Sequence, residues 1–152
     1  VEERHLQDFP SCICCGKAKP NVAVQVHHVF PFHYCVELGR PDLELDDRNL
    51  ITLCETEKHE SDDNHHLLVG HLDDFQSSNL DVRQDAGVTF RGMTGAQIRA
   101  SAIWKQKEAS KLKHLPQMSP EDKAAFKAKM NATYPDVKVA VPGGPAIGPY
   151  RG

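Results

Sequence analysis

Apolar and polar positions alternate most clearly at "VAVQVHHV" (22–29). A period of two with this much valine predicts a strand, and Pro31 ends it. A second apolar run, "LITLC" (50–54), predicts another short strand. Between them, "FHYCVELGRPDLELDDRN" (32–49) reads as a wide connecting loop with one helical turn before Gly39. The spacing suits an antiparallel pair. "ETEKHESDDN" (55–64) is polar and loop-like, and Asp62, Asp63 and Asn64 are all candidate N-caps. "HHLLVGHL" (65–72) then reads as the start of a helix, with Gly70 as a weak point or an early C-cap. "NLDVRQDAGVTF" (79–90) predicts one or two further helical turns. "TGAQIRASAIWKQKEASKLKHL" (94–115) predicts one long helix ending before Pro116. "SPEDKAAFKAKMNATY" (119–134) opens as a helix should, with Ser119 as N-cap, Pro120 at the first position and two acids behind it. Residues 1–11 read as a lead-in, and the Pro/Gly-rich end as an extended tail.

Length and composition narrow this picture. A chain of 152 residues predicts one domain plus a tail. Hydrophobic residues make up 39% and aromatics only 7%, so the core is modest and a metal or cross-link is expected to supplement it. No run is long enough to span a bilayer and no signal-peptide pattern opens the chain. The net charge of −3 conceals an asymmetry. Residues 1–90 carry 7 basic against 17 acidic side chains, and residues 91–152 carry 11 against 4. The basic half is the candidate polyanion contact; a lysine-rich solvated helix face is the plainer reading.

The candidate chemistry lies in the cysteines and histidines. Five cysteines, an odd number, argue against a simple disulfide framework. Their clustering points to metal chemistry in a reducing, cytoplasmic compartment, with a secreted effector left open. "CICCG" places Cys12 and Cys15 at a spacing that can grip one zinc, and Gly16 lets the backbone turn. Cys54 can supply a third ligand. A second CxxC would need cysteine at Glu57, so the fourth ligand falls to His59 or His65. The plainer alternative is a set of buried thiols acting as small apolar residues.

His27 and His28 are adjacent at the end of the first strand, where neighbours point to opposite faces. Alone, such a pair reads as two structural histidines. A metallonuclease, however, needs a metal at the scissile phosphate and a base for the attacking water. Two such imidazoles can divide that work. His66 can add a metal ligand, and Asn49, just before the second strand, can orient the base through its side-chain amide or carbonyl.

"VQVHHVFPFH", "LELDDRNLITLCE", "NHHLLVGHL" and "SSN" together resemble the HNH endonucleases of the ββα-metal (His-Me finger) superfamily, especially a phage- and bacteria-associated subgroup with a CxxC zinc site. The resemblance covers residues 12 to about 85. It implies an α+β fold: a small ββα-metal core of two antiparallel strands and a helix, stapled by structural zinc, with added C-terminal helices. The implied organisation is a nuclease core at 1–90, a basic helical extension at 91–135 and a Pro/Gly-rich tail at 136–152. His27 would be a catalytic-metal ligand, His28 the general base, Asn49 the middle residue of the motif and His66 the last ligand. His71 would be a further ligand or a phosphate contact. Cys12, Cys15 and Cys54 would hold the structural zinc. The family's cysteine before the final histidine is His65 here, which favours His65 over His59 and makes the site three cysteines and one histidine. Cys14 has no counterpart in the pattern.

The implied activity is metal-dependent hydrolysis of DNA phosphodiesters, with Mg, Mn, Ni, Co or Zn as the catalytic ion. Double-stranded DNA is the expected partner, held by Arg99, Lys105, Lys107, Lys111 and Lys113, and a homodimer is a further expectation. Trp104 reads first as core and only second as a base-stacking ring. Two other readings stand beside the enzyme: a zinc-stapled nucleic-acid-binding module without catalysis, and the nuclease domain of a toxin or effector.

Overall fold

Alternation at 22–29 and the apolar run at 50–54 pair as read. A computed structural model describes residues 2–55, 63–112 and 114–135. In it, strand β1 (Val24–His28) lies antiparallel to β2 (Leu50–Cys54), with Val24 opposite Cys54 and His28 opposite Leu50. The protein is mixed helix and sheet, and these two strands form its sheet among the described residues. All five residues of β2 are buried, which explains its unbroken apolar run. On β1, Gln25 faces water while His27 is buried.

The connecting loop is more ordered than its sequence suggests. Helix α2 (Phe32–Glu37) begins directly after Pro31, and Gly39 follows its end at φ +85°, a conformation glycine tolerates best. Asn49 closes the loop from inside. Its Oδ1 accepts the Phe30 N–H (2.8 Å), and its Nδ2 donates to the carbonyls of Phe30 (2.9 Å) and Leu43 (3.2 Å). A fully buried amide satisfied this way holds the end of β1 to the start of β2.

After β2 the chain turns through a π-helical turn, His66–Gly70, capped by the Asn64 side chain on the Leu67 N–H (3.0 Å). Helix α3 (Val82–Gln84) runs on into a second π-helical turn, Asp85–Thr89. Helix α6 (Pro120–Thr133) starts as expected, with Ser119 Oγ accepting the Asp122 N–H (3.1 Å).

Two expectations are corrected. The lead-in is a helix, α1 (Glu2–Asp8), preceding the cysteine turn. The long helix over 94–115 is two: α4 (Gly95–Ala100), opened by a Thr94/Gln97 capping box, and α5 (Ala102–Ala109). Ser101 separates them with ψ 132°, its hydroxyl accepting the Trp104 N–H (3.4 Å). The break lets the Trp104 indole donate to the Leu68 carbonyl (2.8 Å). Serine offers the backbone an alternative to helix, and a buried indole needs an acceptor, so tertiary contact overrides local pattern.

One hydrophobic core joins Phe30, Leu53 and Leu68 to Ile98, Trp104, Phe126 and Met130, so residues before and after position 90 share it. Trp104 therefore sits in the core. Among the described residues, no helix is long and apolar enough to cross a membrane. The tail at 136–152, Asp62, the alternative ligand His59 and the candidate contact Lys113 lie outside the described residues.

Candidate metal centre

Two groups of potential metal ligands form among the described residues. The first comprises Cys12, Cys15, Cys54 and His65, with one ligand atom from each lying within 4.8 Å of all the others. The CxxC turn is closed by the Gly16 N–H on the Cys12 carbonyl (2.8 Å), with Gly16 at φ +77°. The Ile13 N–H donates to the Thr52 carbonyl (3.0 Å), which pins the turn along β2 and sets both thiols beside Cys54. Cys15 Sγ is 4.0 Å from Cys54 Sγ, and His65 Nδ1 is 3.2 Å from Cys54 Sγ and 3.9 Å from Cys12 Sγ. Tetrahedral zinc has ligand edges of roughly 3.4–3.8 Å, and these three separations lie within a few tenths of an ångström of that range.

The surroundings of His65 select the right nitrogen. Its Nε2–H donates to the Met93 carbonyl (3.0 Å), which turns Nδ1 toward the sulfurs. Burial works to lower its pKa, but the sulfurs of Cys12 and Cys14 outweigh burial and raise it to about 11. Hydrogen bonding from Cys54 holds Cys12 down to about 3, while Cys54 itself is pushed up by Cys12. The pocket thus stabilises a thiolate beside a cation. A divalent ion would replace the imidazolium proton, and its binding would release protons. Cys14 lies outside the four-ligand group although its sulfur acts on His65: it is buried, and its thiol donates to the Phe90 carbonyl (3.2 Å).

The second group is His27, His66 and His71. His66 and His71 are five residues apart, which on an α-helix would turn them about 140° from one another. A π-helical turn closes on i→i+5, so the same spacing brings both rings to one side. His71 Nδ1–H donates to the Ser77 carbonyl (2.7 Å), and His66 Nδ1–H donates to Glu55 Oε1 (3.3 Å). Both Nε2 atoms are thereby left as lone-pair donors, and they face one another at 3.1 Å. Burial pushes both rings down to about 4, so both are neutral at pH 7 even with Glu55 alongside. His27 is held well below its ordinary value by burial and by its neighbours His71, His66 and His28. Its Nε2 is buried with no hydrogen-bond partner. Three neutral imidazoles, one of them orphaned and two aiming lone pairs at each other, lack only a shared cation. Nitrogens on a tetrahedral zinc lie about 3.3 Å apart, close to the observed separation.

Gly70 makes this packing possible. A Cβ there would lie 3.1 Å from His27 Cε1, 3.2 Å from His27 Nδ1 and 3.2 Å from Leu53 Cδ1. Gly70→Ala is therefore expected to displace the His27 ring and weaken metal binding at the three-histidine group by about ten-fold or more, leaving the cysteine group loaded. Competition against a chromophoric chelator, with two-site fitting, checks this; equal weakening at both groups would refute it.

His28 borders the same small cleft as His27, His66 and His71, together with Val26, Pro31, Phe32 and His33. Its Nε2–H donates to the Glu44 carbonyl (3.1 Å), which leaves Nδ1 as the acceptor. Adjacent strand residues were expected on opposite faces, yet both rings reach one cleft, because β1 ends at His28. Asn49 is corrected in its detail. All its side-chain bonds go to the backbone of Phe30 and Leu43 and none to the His28 ring, so it orients that ring only through the loop. The site residues missed in the sequence are Glu55 and the carbonyls of Met93, Ser77 and Glu44. Carbonyl acceptors leave no mark in residue identity.

Three of the candidate DNA-contact side chains make local ion pairs. Lys107 pairs with Asp85 (3.0 Å), Lys111 with Glu108 (3.1 Å) and Arg99 with Asp73 (3.4 Å). Lys105 alone of the described four is exposed with no ion pair. Ion pairs such as Lys107–Asp85 and Arg99–Asp73 link the basic half to the acidic one.

No family model, curated protein or solved structure matches the chain.

Proposed function

We propose that the protein is a metal-dependent endonuclease that hydrolyses DNA phosphodiester bonds, with the three-histidine group as its catalytic metal site and His28 as general base. The observation that carries this reading is the convergence of one imidazole nitrogen from each of His27, His66 and His71 beside a cleft that a fourth histidine also borders. Three protein ligands with an open position are the pattern of a catalytic site, whereas four ligands close a structural one. The two groups divide along that line. The strand–loop–strand–turn order and the ligand placement also support the ββα-metal reading of residues 12–85.

A divalent ion bound by His27, His66 and His71 would neutralise charge on the scissile phosphate and steady the leaving oxygen. The chain's own residues do the rest. His28 Nδ1 takes a proton from the attacking water, while the Glu44 carbonyl fixes the ring. Asn49 holds the loop that carries both Glu44 and the end of β1. Glu55 and Ser77 fix the tautomers of His66 and His71. Cys12, Cys15, Cys54 and His65 would hold structural zinc that anchors the turn immediately before His66.

The test is cleavage of plasmid and of single-stranded circular DNA by metal-stripped protein titrated with Mg²⁺, Mn²⁺, Ni²⁺ and Zn²⁺. Imidazole ligands favour the later ions, so activity is expected with more than one and best with Mn²⁺, Ni²⁺ or Zn²⁺. Full activity after exhaustive chelation would refute a catalytic metal. Absence of cleavage with every ion, alongside zinc and DNA binding, would instead support the binding module.

A further inference from the structure

Beside the candidate active site lie two aromatic rings that its metal chemistry does not use. Phe75 is 55% exposed, and its ring centroid is 5.0 Å from that of His71 and 5.7 Å from that of His66. Phe32 is 47% exposed and lies 6.1 Å from His28. One ring thus borders the metal ligands and the other borders the base. Each ring leaves about half its surface open to a ligand.

The backbone is built to present Phe75. Leu72 and Asp73 both adopt positive φ, at 52° and 68°, a strained conformation for residues with a Cβ. The loop is closed by Asp73 N–H on the Leu67 carbonyl (2.9 Å), Asp74 N–H on the His71 carbonyl (3.1 Å) and Ser77 N–H on the Asp74 carbonyl (2.8 Å). The Asp74 carboxylate also accepts the Gln76 N–H (2.9 Å). Phe75 projects from this braced loop.

We propose that Phe75 and Phe32 are stacking platforms for unpaired bases on the two sides of the scissile phosphate, so that the site takes single-stranded DNA. This rests on the nuclease reading of the same site. Bases in a duplex stack on one another and offer only their edges, whereas unpaired bases offer a face to an aromatic ring. The local charge points the same way. Asp73 and Asp74 immediately precede Phe75, and the nearby cations Arg99 and Lys111 are paired to these two acids (3.4 and 3.8 Å). Such a surface disfavours the dense phosphates of a duplex and relies on stacking instead. A double-stranded substrate is the alternative that the following experiment sets against this one.

The experiment is fluorescence anisotropy with a labelled oligothymidine and a hairpin duplex of equal length, using full-length His28→Ala protein so that the DNA survives. Tighter binding of the single strand is expected. Adding Phe75→Ala should weaken it roughly ten-fold or more, Phe75→Trp should restore it, and Phe75→Leu should not. Phe32→Ala should weaken it independently, with metal content unchanged throughout. Equal affinity for both DNAs, or rescue by leucine as good as by tryptophan, would overturn the proposal, as would an affinity indifferent to Phe75→Ala. Aromatic-dependent single-strand binding by a wild-type chain that cleaves nothing would uphold the stacking and refute the hydrolysis.

Discussion

His28→Ala is expected to lower DNA cleavage by about 10²–10⁴-fold, the usual contribution of a positioned general base. The effect should fall on turnover, with metal content unchanged, because His28 belongs to neither ligand group. Folding should also survive. The ring is only half-buried, and its single hydrogen bond goes to the Glu44 carbonyl, which water can satisfy in its place. Nicking rates at saturating metal, with metal-to-protein ratios measured on the same samples, check the prediction. Equal rates in both proteins would sink the assignment, and a parallel loss of metal would make His28 a ligand rather than a base.

The strands were legible because their signal is local. Alternation over 22–29 and the apolar run over 50–54 need no knowledge of the rest of the chain. The cap at Ser119 was legible for the same reason. The division at Ser101 was not, because it depends on the Trp104 indole finding the Leu68 carbonyl 36 residues away. Nothing in "ASAIW" announces that partner. Helix α1 also escaped notice, since its seven residues carry too few apolar positions to show a period.

The candidate site divides in the same manner. Cys12 and Cys15 declared themselves by spacing, and Cys54 by its place at the end of a predicted strand. The choice between His59 and His65 needed the resemblance, and in the structure it is His65 that faces the sulfurs. His71 was the least secure ligand for a physical reason. Ordinary helical geometry points it away from His66, and only the π-helical turn brings the two rings together. A bulge of that kind has no residue signature beyond Gly70, whose missing Cβ makes room for His27.

The two ligand groups should respond unequally to the loss of one member. Cys54→Ala removes the sulfur that bonds the Asp63 carbonyl (2.8 Å) and faces His65 (3.2 Å), and so frees the end of β2 from the turn that begins at Asn64. His66 stands next in the chain, so its position depends on that anchor. His66→Ala, by contrast, cuts nothing that holds Cys12, Cys15 or Cys54. Metal analysis is therefore expected to give two ions per chain in the wild type, one in His66→Ala and none in Cys54→Ala. Stability should follow the same order. Structural zinc is worth about 10–16 kcal/mol in small zinc-finger peptides, and this protein has its own core, so a loss of about 3–5 kcal/mol is the expected share. At about 2–4 °C per kcal/mol for chains of this size, Tm should fall by roughly 6–20 °C in Cys54→Ala and by little in His66→Ala. A Cys54→Ala protein that kept both its Tm and its nicking activity would show that the cysteines are only buried apolar residues. Such a result would leave the three-histidine site standing without its staple.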